Sequence, residues 1–215
     1  MHESTLIANL CKFIKVAFSQ KNYICTENQN KHNSLTNQSL QTMQYIIITF
    51  AVFFALRLVS LSYSIRNEKR LISKGGVQYG KKNSLLLTLA HIAYYFSALY
   101  EAYARGIEFN NLSAWGVGVM AFAYVMLFYV IYKLHDIWTV KLYIVPNQRI
   151  DTSFIFKVVR HPNYFLNIIP ELIGVALLCN AWYTLIFGLP VYACLLAVRI
   201  RQEEVAMKHL WVKGE

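Results

Sequence analysis

Long apolar runs along the chain are separated by short basic segments. Five runs, at about 44–62, 84–104, 114–133, 164–180 and 182–198, approach the roughly 20 residues that cross about 30 Å of hydrocarbon. Almost no loop separates the last two, which predicts a tight helical hairpin. Pro170 and Pro190 fall within these runs and are expected to kink or break the helices. Broken helices are tolerated in a membrane mainly where they line a cavity or are buried in protein. The pattern therefore predicts an all-α, polytopic membrane helix bundle of about five spans with a C-terminal hairpin.

Residues 1–42 follow a different pattern. The stretch 26–41 is a run of Asn, Gln, Ser and Thr that offers no core, and 6–18 suits a short amphipathic helix carrying Lys12 and Lys15. This segment reads as a disordered or surface-lying extension, and 43–215 as the membrane domain. Met43 directly precedes the first strong apolar run and is the expected functional start.

Composition agrees with the spans: 56% of the 215 residues are hydrophobic and 15% charged, against roughly 45–50% and about 25% in soluble domains. The net charge of +10 raises nucleic acid as a partner, but the basic residues fall in the gaps between apolar runs, where the positive-inside rule accounts for them. Nucleic acid is therefore not an expected partner. The segment 63–83 carries Arg66, Lys69, Arg70, Lys74, Lys81 and Lys82 against Glu68. The segment 135–163 carries Lys141, Arg149, Lys157 and Arg160, and the tail carries Arg199, Arg201, Lys208 and Lys213. Between the second and third runs there are only Arg105 and Glu108. All three basic segments are therefore expected in the cytoplasm, with an odd number of spans starting outside. The four lysines and two glutamates of 1–42 fit translocation poorly. Cys11, Cys25, Cys179 and Cys194 show no metal-ligand spacing, so neither a metal site nor a disulfide framework is expected. The first residues lack the features of a cleavable signal peptide.

Two cytoplasmic segments are more polar than span anchoring requires. Arg160-His161-Pro162-Asn163-Tyr164 opens the fourth run, where a proline just inside a helix start is favourable. The free N–H groups that follow favour an anion. The alternative is an interfacial anchor, with Arg160 on lipid phosphate and Tyr164 in the aromatic belt. At the end of the fifth run, Arg199-Ile200-Arg201-Gln202-Glu203-Glu204 places Arg199 and Glu203 four apart on one helical face. That pair is either a solvated ion pair or part of a site whose two carboxylates hold an ammonium and ribose hydroxyls of a nucleoside cofactor. Glu171, about seven residues into the fourth run, is expensive there and is a candidate general base or acid. Its structural alternative is a hydrogen bond to His91, Tyr94 or Tyr95. His91 itself reads as an interhelical hydrogen-bonder, and Arg57 as a residue that snorkels or pairs with a carboxylate. Gly75, Gly76 and Gly80 follow no strand and make no phosphate-binding motif.

Arg-His-Pro-x-Tyr at a helix start, a tight hairpin, then Arg-x-x-x-Glu-Glu resembles the isoprenylcysteine carboxyl methyltransferase family over about residues 138–207, including the run from Trp138 to Pro146. The resemblance implies an S-adenosylmethionine-dependent membrane methyltransferase with a cytoplasmic cofactor pocket. Arg160, His161, Pro162 and Tyr164 would lie at the cofactor, Glu203 and Glu204 would close its other side, and Arg199 would orient a substrate anion. Asn67-Glu68-Lys69-Arg70 and Gly75-Gly76-Val77-Gln78-Tyr79-Gly80, with Asn163 and Glu171, is similar to bacterial members linked to O-methylation of long-chain alkylpyrones. The implied location is a bacterial inner membrane with a cytoplasmic C-terminus. The implied substrate is a lipidic molecule entering from the bilayer and methylated on a carboxyl, enol or hydroxyl oxygen. Competing readings are a phospholipid N-methyltransferase, an NADPH-dependent sterol-type reductase (which shares Arg-His-Pro-Asn-Tyr) and a non-catalytic membrane scaffold.

Overall fold

The computed structural model describes residues 43–145 and 161–211, with side chains through residue 206. The segment 1–42 and Arg160 lie outside the described residues, as do Cys11 and Cys25. Among the described residues five helices form the bundle. Helix α1 is Met43–Ser73, α2 is Lys81–Ala104 and α3 is Asn111–Leu134. Helix α4 is Asn163–Leu178; α5 begins with Thr184–Gly188 and continues as Leu189–Trp211. Helices α1 and α3, and the stretch Thr184–Ala206 of α5, are long and apolar enough to cross a membrane, while α4 is shorter and apolar. The chain is an integral membrane helix bundle.

Helix α1 continues past residue 62, where its apolar run was expected to end. Ser60, Ser64, Asn67 and Leu71 recur at three- or four-residue spacing and are all buried, so its last turns keep one face against the protein. The helix ends at Gly75, whose φ of 81° is easy without a side chain. There Gly76 N–H reaches the Leu71 carbonyl and Gly75 N–H the Ile72 carbonyl, the paired bonds of a Schellman motif. The same closure ends α4 at Asn180, φ 48°, where Ala181 N–H bonds Ala176 O and Asn180 N–H bonds Leu177 O.

The prolines do not break the hairpin helices. Each is preceded by a π-helical turn, Asn163–Ile168 before Pro170 and Thr184–Gly188 before Pro190. A wider turn accommodates the missing N–H and the ring's clash with the preceding turn.

Helices α3 and α4 make the closest crossing. A Cβ on Gly116 would stand 2.8 Å from the Gly174 carbonyl oxygen, and one on Gly174 would stand 2.9 Å from the Met120 nitrogen. Only glycine allows this approach, the usual route to tight packing between membrane helices. Around it Met120, Leu127, Leu172, Val175 and Leu178 are fully buried. Apolar side chains also cover the outer surface, as expected of a lipid-facing bundle. Exposed Tyr103, Trp115, Trp182 and Tyr183 gather at one end, and Tyr129 and Tyr132 mark the other end of α3.

The sequence pattern gave no sign of a small β-ribbon. Strand β1 (Val77–Tyr79) pairs antiparallel with β2 (Leu142–Ile144), with Gln78 opposite Tyr143. Helix α1 fixes the segment leading into β2. Asn67 Nδ2 donates to the carbonyls of His135 (2.7 Å) and Trp138 (2.9 Å), Ser64 Oγ accepts from Val140 N–H, and Glu68 accepts from Lys141 and Tyr143. The ribbon thus joins the basic segments after α1 and α3 on one side of the bundle, and the end of α5 lies against it, with Gly80 close to Gln202.

Candidate active site

The start of α4 and the end of α5 meet on the ribbon side. Pro162 takes helical angles directly before Asn163, as its N1-like preference predicts, and the turn carries His161 and Tyr164 with their rings stacked 5.7 Å apart. Opposite them, α5 presents Glu203 and Glu204. Glu203 Oε2 accepts from the Tyr164 hydroxyl at 2.7 Å and lies 3.6 Å from His161 Nδ1. Glu204 Oε1 lies 3.6 Å from His161 Nε2. The imidazole is thus held between two carboxylates. Its two nitrogens are buried without a hydrogen bond closer than this, while both glutamates are partly open.

Arg199 is buried behind this group. Its Nε donates to Tyr164 Oη (3.3 Å), Nη1 to Ser84 Oγ (2.8 Å) and Nη2 to the Val140 carbonyl (3.0 Å). One guanidinium therefore fastens α5 to α4, to α2 and to the segment entering β2. A chain of bonds runs from Arg199 through the Tyr164 hydroxyl to Glu203.

The Glu203 carboxylate, and then that of Glu204, hold the His161 proton more tightly than in a free imidazole, raising its pKa against the opposing effect of burial. With a raised folded-state pKa, the stabilising ion pairs are complete below the ordinary imidazole value of about 6.5. They are lost as pH rises through the raised value. The difference in thermal midpoint between wild type and His161→Gln is accordingly expected to be largest in mildly acidic buffer and to shrink with rising pH. A pH-independent difference would contradict these ion pairs.

Glu171 belongs to a second polar centre deeper in the bundle. Its carboxylate has no exposure. Oε2 lies 3.3 Å from Arg57 Nη1, and Oε1 accepts from the hydroxyls of Tyr95 and, at 2.9 Å, Tyr124. His91 Nε2 lies 3.9 Å from Oε1, and Nδ1 is 3.3 Å from the Tyr192 hydroxyl. Of the three hydrogen-bond partners considered for Glu171 from the sequence, Tyr95 makes the bond, His91 stands nearby, and Tyr94 is not bonded to it. Arg57 pairs with a carboxylate rather than snorkelling. All five helices contribute a side chain to this centre.

Some contributors carried no distinguishing sequence signal. Ser84 and Val140 matter only because folding brings them to Arg199. Glu101, near the end of α2, accepts from the N–H groups of Tyr183 and Thr184, from the Thr184 hydroxyl and from Arg105. It thereby satisfies the free donors where α5 begins.

Residues 116–209 match the isoprenylcysteine carboxyl methyltransferase (ICMT) family. An uncharacterized protein of Haemophilus influenzae is 59% identical over 172 residues, covering 80% of this chain and 100% of that protein. The uncharacterized protein YpbQ of Bacillus subtilis is 24% identical over 169 residues, 77% of this chain and 98% of its own length. No solved structure matches. The family match takes in His161, Pro162, Tyr164, Arg199, Glu203 and Glu204 together. This chain belongs to the isoprenylcysteine carboxyl methyltransferase family, a family of membrane methyltransferases.

Proposed function

We propose that the protein transfers a methyl group from S-adenosylmethionine to an oxygen of a lipidic substrate, either a carboxyl as in isoprenylcysteine or an enol or hydroxyl. The observation that carries this reading is the convergence of His161, Tyr164, Glu203 and Glu204, held in place by buried Arg199. These residues fit the cofactor. Two partly open carboxylates suit an ammonium and ribose hydroxyls, and His161 between them orients both. Arg160 and Pro162 would complete the helix-start side of the pocket. When bound, the cofactor supplies an electrophilic methyl group on a sulfonium.

The chain's own residues provide binding and alignment. Holding the acceptor oxygen in line with the methyl group supplies much of the rate in such a displacement. Arg199 fixes Tyr164 and Glu203 and adds positive charge for a substrate anion. A carboxylate acceptor needs no base, whereas an enol or hydroxyl has a proton to lose, and Glu171 is the candidate through which that proton is handled. The placement of the basic segments supports a pocket and C-terminus on the cytoplasmic side of the membrane, and the bacterial relatives support a bacterial inner membrane. The apolar outer surface suits a substrate that arrives through the lipid. A chain beginning at Met43 contains every residue invoked here.

Titration of the detergent-purified protein with S-adenosylhomocysteine and, separately, NADPH tests the reading. Saturable binding of the first is expected, weakened at least about 100-fold in His161→Ala and Glu204→Ala, which corresponds to about 2.7 kcal/mol. Binding of NADPH alone would establish the reductase reading instead. Binding of neither would favour the scaffold.

A further inference from the structure

We propose that Tyr192 is the side chain that takes the proton of a hydroxyl or enol acceptor, with His91 and Glu171 positioned behind it as a relay. The inference rests on the methyltransferase reading and adds a route for the proton. Glu171 itself is ill placed to meet substrate. Arg57, Tyr95 and Tyr124 surround its carboxylate, which has no exposed surface. Its charge is already matched by Arg57, so His91 is not needed there as a cation and serves as a neutral base.

The geometry selects the His91 tautomer. Nε2 faces the Glu171 carboxylate at 3.9 Å and has no hydrogen-bond partner, so an N–H at Nε2 points its positive end at the carboxylate. That leaves the Nδ1 lone pair facing the Tyr192 hydroxyl at 3.3 Å. The His91 ring is further held by stacking on Tyr95, with centroids 4.9 Å apart. The order is therefore hydroxyl, imidazole, carboxylate, in which the base is oriented by a third group. The groups facing His91 are Tyr95 on its own helix, Arg57 on α1, Glu171 on α4 and Tyr192 on α5, while Tyr124 on α3 reaches the same Glu171 carboxylate.

Tyr192 is buried but also stands at the wall of a groove. The groove measures about 450 Å³ between α2 and α5, and Ala90, Tyr94, Phe187, Gly188 and Val191 also line it. Both the size and the apolar walls suit part of a lipid. Along α5, Tyr192 and Arg199 are seven residues apart, on one face and about 10 Å apart along the axis. A lipid in the groove with its polar end toward Arg199 carries its oxygen past the Tyr192 hydroxyl.

In the step, the acceptor's O–H proton passes to Tyr192 Oη as the tyrosine's own proton passes to His91 Nδ1. The deprotonated oxygen then advances along α5 toward Arg199 and the cofactor residues, where its electron pair forms the new C–O bond as the C–S bond breaks and leaves its pair on sulfur. The resulting imidazolium faces Glu171 and returns its proton to water by the reverse path. A carboxylate acceptor has no proton to deliver, so the relay serves hydroxyl and enol substrates.

The probe is para-dodecylphenol, whose ionisation is visible by ultraviolet absorption, added to the full-length protein in detergent saturated with S-adenosylhomocysteine. The relay predicts that phenolate appears at lower pH with wild type than in protein-free micelles. It also predicts that this shift is absent in Tyr192→Phe and His91→Gln while both variants bind S-adenosylhomocysteine as wild type does. With S-adenosylmethionine, methylation of the phenol should fall about 100-fold or more in either variant, the usual range for losing acid–base assistance. An unshifted titration in wild type, or the same shift in all three proteins, overturns the relay and leaves the methyltransferase reading intact. Failure of wild type to bind S-adenosylhomocysteine overturns that reading instead.

Discussion

Glu171→Ala is expected to destabilise the bundle by about 3–5 kcal/mol, the range for removing one partner of a buried ion pair. The loss would leave the Arg57 guanidinium in an apolar bundle without its carboxylate, and the Tyr95 and Tyr124 hydroxyls without their acceptor. The cost should therefore exceed that of the missing contacts alone. Unfolding of the purified protein by heat or denaturant in detergent reads it directly. Arg57→Met combined with Glu171→Met removes both charges and should recover a large part of the loss. If the double variant is as unstable as Glu171→Ala alone, the pair is not what makes that substitution costly.

Arg199→Lys, a charge-preserving change, should weaken S-adenosylhomocysteine binding about 10- to 100-fold. The guanidinium reaches three acceptors on three different elements through a planar fork, whereas an ammonium on a flexible stem cannot meet all three in those directions. Hydrogen bonds from a charged group contribute about 1.5–3 kcal/mol each, so the loss of one yields that change in affinity. Arg199→Ala should be worse, since Tyr164 would lose the donor that fixes it beneath Glu203. Calorimetric titration of the three proteins checks the order, and equal affinity for wild type and Arg199→Lys would remove Arg199 from the positioning of the site.

The two motifs were legible because each is local. Pro162 at a helix start and Arg199 four residues before Glu203 say where their side chains emerge before any tertiary contact is known. The five apolar runs were legible for the same reason, being set by the thickness of hydrocarbon. The C-terminal part of α1 was partly legible, since Ser60, Ser64, Asn67 and Leu71 already have helical spacing, although small and polar residues leave no apolar pattern. The acceptors of Arg199 were not legible. Ser84 is one serine near the start of a helix, and Val140 contributes only its backbone carbonyl. Glu101 carries the same sign as Glu171, an ionisable residue inside an apolar run, but its role was not legible because its backbone partners lie 82 and 83 residues away. The ribbon was hidden because three-residue strands leave too short a pattern. The turns before Pro170 and Pro190 show that a proline reports a local difficulty without saying how the helix resolves it.

The ribbon also bears on how the protein is inserted as it is synthesised. Strand β1 follows α1 directly, but its partner β2 is made only after α2 and α3. Val77–Tyr79 must wait until two more helices have been threaded, and pairing then requires α1 and α3 to emerge on the same side. A molecule in which either helix has inserted in the opposite sense has its two strands on different sides of the bilayer. It cannot place the Val140 carbonyl on Arg199. Only a chain threaded in the correct sense can therefore both close the ribbon and bring Val140 to Arg199.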